Sequence, residues 1–267
     1  MGKKVQKIGK VIDFYILVVY NFSSNCKVRK CVTMYKNLKI KPPFFEVGPK
    51  AFLYGEKMLK LAQVIDKTAM KYDVDVIVTP QYTDIKLLAD NTERILVFAQ
   101  HMDYLPVGRG LGSVLPEAVK AAGAVGVMLN HAEKPLTMEE IEKTIARADE
   151  VGLGTIVCAN TVEDVKAIAK MGPNLIVAEP TDLIGTGQTS DSNYVIETIK
   201  TVREINPDIM VLQGAGISNG NDVYNTIKLG AQATGSTSGI IKADDPYAMV
   251  EEMLYNLRKA WDEVNGR

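Results

Sequence analysis

Cysteine, histidine and net charge are all scarce in this chain of 267 residues, which has three cysteines, two histidines and a formal charge of −1 from Lys+Arg 31 against Asp+Glu 32. The cysteine count is odd, and Cys26 and Cys31 have no second pair to complete a zinc site. That argues against a disulfide framework and for a reducing, cytoplasmic setting. Near-neutral charge gives no electrostatic reason to expect nucleic acid or another polyanion as partner. No stretch of apolar residues is long enough to cross a membrane as a helix, so no membrane partner is expected. The longest apolar run, Phe14 to Tyr20, follows a basic stretch, but Asp13 interrupts it and no small-residue cleavage site follows, so it does not read as a secretory signal.

The neutral average conceals an uneven distribution. Residues 1–31 carry seven basic side chains against Asp13 alone, leaving the remainder with a net charge of −7. From Val32 onward, short Val- and Ile-rich runs alternate with longer segments of helical spacing. The predicted strands are 32–39, 74–79, 95–99, 125–130, 154–158, 175–178, 209–213 and 231–235. Their near-continuous apolar character predicts a parallel sheet covered on both faces. Helices are predicted near 55–72, 81–90, 116–123, 137–150, 162–171, 193–205, 219–229 and 246–263. Thr137 with Glu140 fits a capping box, an acidic cap at Asp244 or Asp245 precedes Pro246, and Gly123, Gly152, Gly172 and Gly230 mark helix ends. Eight strand-helix units over about 235 residues have the rhythm of a single-domain α/β fold, the (β/α)8 barrel.

In such a barrel the reacting groups sit just beyond the C-terminal ends of the strands. Asn37 and Lys39 end the first predicted strand, and alternation sends both to one face. Asn130-His131-Ala132-Glu133 follows the fourth strand, while His101 after the third is an equal candidate by position. Glu179 follows four apolar residues, so desolvation is expected to raise its pKa toward that of a useful base. Ile184-Gly185-Thr186-Gly187 reads as a lid or a turn. Gly216, after the seventh strand, and Thr237 and Ser238, after the eighth, lie on small-residue loops where such barrels bind phosphate. A carboxylate base, a neutral histidine and a lysine around a phosphorylated carbonyl compound fit aldose-ketose isomerisation through an enediolate.

These stretches resemble the triosephosphate isomerase family, and its shorter archaeal-type branch most closely. The likeness rests on NLK at 37–39, FAQHMD at 98–103, LPEAVKAAGAVGVMLNHAEK at 115–134, IVCAN at 156–160, VAEPTDLIGTG at 177–187, VLQGAGIS at 211–218 and STSGIIKADDP at 236–246. It implies Lys39 as the electrostatic lysine with Asn37 beside it, His131 rather than His101 as the electrophile, and Glu179 as the base. It also implies Ile184, Gly185, Gly216, Thr237 and Ser238 as phosphate contacts, with Glu133 supporting the histidine and Cys158 packing nearby. The implied reaction interconverts glyceraldehyde 3-phosphate and dihydroxyacetone phosphate in glycolysis and gluconeogenesis. It needs no cofactor or metal, and the implied assembly is a homo-oligomer, dimer or tetramer.

The alternatives are the same chemistry on a tetrulose phosphate or related sugar phosphate, and a non-catalytic phosphate-binding barrel. Ala132 stands where the family has serine. The third loop, Gly108 to Gly112, lacks the threonine of the family's dimer contact. The first loop, Ile40 to Gly55, reads as elongated enough to reshape the mouth for a larger substrate. Residues 1–31 read as an extension outside the barrel, and a native start near Met34 is the explanation favoured here.

Overall fold

The computed structural model describes residues 34–266, and the chain divides into two units, 1–31 and 32–267. The expectations for residues 1–31, and for Cys26 and Cys31, lie outside the described residues. Within the second unit, eight parallel strands close into a barrel in sequence order. They are β1 (Phe44–Val47), β2 (Asp75–Val78), β3 (Leu96–Ala99), β4 (Gly126–Leu129), β5 (Gly154–Ala159), β6 (Leu175–Ala178), β7 (Met210–Gln213) and β8 (Ala233–Ser236). Between and after them run α1 (Gly55–Tyr72), α2 (Ile85–Asn91), α3 (Pro116–Ala121), α4 (Met138–Val151), α5 (Val162–Ala169), α6 (Ser192–Ile205), α7 (Gly220–Lys228), α8 (Ser238–Ile241) and α9 (Pro246–Asn265).

Two apolar layers hold this arrangement, because each strand buries both faces. Phe44, Ile77, Phe98, Met128, Ile156, Leu175 and Leu212 point inward and fill the barrel. Phe45, Val47, Val76, Val97, Val127, Val157, Ile176 and Val211 point outward under the helices. Thr137 and Glu140 form the expected capping box on α4, and Asp245 caps α9 by accepting from the N–H groups of Tyr247 and Ala248. Gly152 takes a left-handed φ of 75° at the end of α4, where a side chain would be strained.

The first strand departs from expectation. Residues 34–39 form no strand, and β1 is Phe44–Val47 instead. The four residues FFEV follow two prolines and contain a charged side chain, so their pattern imitates a loop, whereas the preceding segment imitates a strand ending in Asn-x-Lys. The span 40–55 is therefore no elongated loop. It contains β1 itself, leaving only residues 48–54 between β1 and α1.

Segment 34–41 closes the base of the barrel. The Tyr35 N–H donates to Asp149 Oδ1 (3.1 Å), Asn174 Nδ2 donates to the Tyr35 carbonyl (2.7 Å), and the Lys41 N–H donates to Asp75 Oδ2 (2.9 Å). Leu38 packs so closely on Gly154 that a Cβ there would lie 2.8 Å from its Cδ2. Asp75 and Gly154 begin β2 and β5, Asn174 directly precedes β6, and Asp149 lies in the last turn of α4, which leads into β5. No described helix is long and apolar enough to cross a membrane.

Candidate active site

At the opposite end, the strand termini surround a cavity of about 400 Å³. His131, Glu133, Glu179, Ile184, Gly185, Gly216, Thr237 and Ser238 all line it. Asn37 and Lys39 do not. Both are exposed, and Lys39 borders a separate depression with Asp75, Arg94 and Leu96 at the base. Placing them at the mouth is corrected by the position of β1, since a residue preceding the first strand emerges at the wrong end of a parallel barrel.

Three lysines do line the cavity, Lys50, Lys134 and Lys242, and the one that pairs with Glu133 beside His131 is Lys50, in the loop after β1. Its backbone takes a left-handed φ of 49°, uncommon for a residue with a side chain. Two amides fix that conformation: Gln81 Nε2 and Gln100 Nε2 donate to the Lys50 carbonyl at 2.8 and 2.9 Å. The Lys50 ammonium meets Glu133 Oε1 at 2.6 Å. A sequence reading that took 37–39 as the strand end passed over Lys50 and its two glutamines; the usable signal was a lysine close behind a second apolar run.

His131 is presented by a similar device. Asn130, with φ 58°, spans the turn after β4 by donating from Nδ2 to the Cys158 carbonyl (2.9 Å) and accepting at Oδ1 from the Leu136 N–H (2.9 Å). The Glu133 N–H donates to His131 Nδ1 at 3.1 Å. That ring nitrogen is therefore the acceptor, and the neutral ring carries its proton on Nε2. Burial lowers the His131 pKa, Lys50 lowers it further, and Glu133 opposes the shift. His101, by contrast, is buried against Asp103, 3.3 Å away, and does not line the cavity.

Glu179 directly follows β6, with Oε1 accepting from the Ala215 N–H at 3.0 Å. Burial pushes its pKa above the ordinary carboxylate value, against the lowering effects of the Ala215 N–H and Lys50. Its side chain rests on Gly214, where a Cβ would lie 2.9 Å from that of Glu179. Ala215 and Gly216 take φ of 68° and 70°, strained for the alanine and open to the glycine, in a turn that aims the Ala215 N–H at the carboxylate. Cys158 is buried, and desolvation raises its thiol pKa well above the ordinary value, so it has little thiolate character.

Residues 181–190 arch from Glu179 back to the loop after β7. The Thr181 N–H donates to Asn160 Oδ1 (2.8 Å), and Ser190 Oγ donates to the Gly214 carbonyl (3.3 Å). Gly185 and Gly187 both have φ of 75°, and the segment presses so closely on Gly216 that a Cβ there would lie 1.9 Å from the Gln188 carbonyl oxygen. Among the described residues, no group of three or more His, Cys, Asp or Glu side chains is placed to hold a metal ion.

A family model described as triosephosphate isomerase matches residues 50–253. The match begins at Lys50 and leaves out Asn37 and Lys39. A triosephosphate isomerase of Methanobacterium bryantii is 43% identical over 195 residues, covering 72% of this chain and 86% of the relative. One from Sulfurisphaera tokodaii is 37% identical over 227 residues, covering 84% and 99%. The crystal structure of triosephosphate isomerase from Bartonella henselae superposes with a TM-score of 0.66 at 15% identity, covering 82% of this chain and 99% of that one, and shows the fold.

Proposed function

Because this chain belongs to the triosephosphate isomerase family, we propose that it interconverts glyceraldehyde 3-phosphate and dihydroxyacetone phosphate through an enediolate. The observation that carries this reading is the facing of a desolvated carboxylate, Glu179, and a neutral Nε2-protonated imidazole, His131, across one cavity. Glu179 removes a proton from the carbon beside the carbonyl. His131 Nε2–H donates to the oxygen that gains negative charge, and the ammonium of Lys50 adds positive potential there. The hydroxyl proton passes between the two oxygens by way of His131 Nε2, and Glu179 then returns its proton to the neighbouring carbon. Glu133 holds both the imidazole, through its N–H, and the lysine, through its carboxylate.

Lys50, and not Lys39, is the lysine of this proposal. Ile184, Gly185, Gly216, Thr237 and Ser238 supply the phosphate end, where small side chains and backbone N–H groups suit an anion. Closure of segment 181–190 over the substrate excludes water from the enediolate.

The test is turnover of the triose pair measured beside four-carbon sugar phosphates. Preferential turnover of the triose pair is expected, and a triose rate at background would overturn the reading. The case for a larger substrate drew on an elongated first loop, and that support lapses with the position of β1. A cytoplasmic homo-oligomer fits this reading, supported by exposed Val107 and Leu111 on the third loop, and light scattering of the purified chain reports the assembly.

A further inference from the structure

β1 sends two side chains into the barrel, Phe44 at the centre and Glu46 at the floor of the cavity. Glu46 is only 9% exposed, and its layer otherwise holds apolar or small groups such as Cys158, Val177 and Leu212. Its Oε1 accepts from Thr79 Oγ1 at 3.0 Å. No donor among the described residues reaches Oε2. Two glycines make room for the carboxyl: a Cβ on Gly48 would lie 2.9 Å from Oε1, and one on Gly235 would lie 3.0 Å from Oε2. This is a built position for a carboxyl group with one oxygen anchored and the other free toward the cavity.

We propose that Glu46 is a second catalytic carboxyl, which keeps its proton and donates a hydrogen bond through Oε2 to an oxygen of the bound sugar phosphate while Glu179 acts as the ionised base. The proposal rests on the isomerase reading for its substrate, but the division of labour follows from what surrounds the two groups. Thr79 continues to donate to Oε1, leaving Oε2 to carry the proton. Lys50 faces Glu46 from the next loop but is committed to Glu133 at 2.6 Å. Cys158 from β5 is a neutral thiol, His131 beyond β4 is neutral, and Lys242 stands at the end of α8 on the cavity wall.

Burial pushes the Glu46 pKa up to about 7, with Glu179 adding to the rise while Thr79 and Lys50 oppose it. A phosphate monoester brings roughly −1.5 to −2 charge into the same cavity. That disfavours ionisation of Glu46 further, so ligand binding and proton retention are linked.

The decisive measurement is proton uptake on binding glycerol 3-phosphate, which cannot isomerise. Calorimetry of the full chain between pH 7.5 and 9, in buffers of different ionisation enthalpy, is expected to show uptake approaching about one proton and affinity falling up to about tenfold per pH unit. Glu46→Gln, of the same size, is expected to abolish both, and Glu179→Gln to leave both in place. With substrate, wild-type kcat/KM is expected to fall above about pH 7, while Glu46→Gln loses about tenfold in kcat and has no such alkaline limb. Uptake that persists in Glu46→Gln, or vanishes only in Glu179→Gln, overturns the proposal. Uptake with no triose turnover overturns the isomerase reading and leaves standing only the role of Glu46 as a proton-retaining donor to the bound ligand.

Discussion

Lys39 and Lys50 sit at opposite ends of one barrel. Lys39 is exposed at the base, beside Asp75 and Arg94, and precedes β1. Lys50 follows β1, has a side chain only 21% exposed, and faces the cavity shared by His131 and Glu179. Residue type is the same and the distance along the chain is short. What differs is the side of a four-residue strand on which each falls, because a parallel barrel collects all strand C-termini at one end. Three of the four described non-glycine residues with left-handed backbone, Lys50, Asn130 and Ala215, are at the mouth, while the fourth, Asp73, ends α1 at the base.

The comparison is tested most severely by Glu179→Gln, which removes the base and is expected to lower kcat by about 10³ to 10⁴ in a triose isomerisation assay. Residual activity within tenfold of wild type would mean that the base lies elsewhere. Next in size, Lys50→Met is expected to cost about 10² in kcat/KM, while Lys39→Met stays within about twofold. The reverse ranking would put the functional lysine back at the base.

A third test concerns pH. Burial raises the Glu179 pKa, and its active form is the ionised one, so kcat/KM is expected to rise with pH through a midpoint above the ordinary carboxylate range. An acid limb at or below about 4.3 would contradict the desolvation argument. The smallest effect expected is at the base. Leu38→Ala opens the contact with Gly154 and is expected to cost about 1–2 kcal/mol in denaturant unfolding, with kcat per folded molecule unchanged.

The legible parts of the sequence were those where local pattern and long-range role coincide. Seven strands lie close to their expected positions, six of them, β2 to β7, because their residues are mostly apolar; β8, with the sequence ATGS, is the exception. The caps at Thr137 and Asp245 were legible because a capping bond spans only two or three residues. Glu179 could be found because it directly follows such a strand, whereas position left His131 and His101 equal and the family resemblance separated them.

β1 was not legible. Glu46 interrupts its apolar run, and that interruption is itself the carboxyl proposed to act at the site. Gln81 and Gln100 were equally hidden, since each is an ordinary polar residue until its amide meets the Lys50 carbonyl. The order of strand and helix, and with it the barrel, therefore follows from the sequence alone, because burial on two faces imposes a pattern within each segment. Which lysine meets the histidine, which carboxyl is left with a free oxygen, and which ring nitrogen keeps its proton are decided only in the tertiary structure. The first two depend on groups tens of residues apart, whose mutual distances and shared desolvation exist only once the barrel is closed; the third depends on the turn that Asn130 holds to Cys158 and Leu136, which brings the Glu133 N–H onto His131 Nδ1.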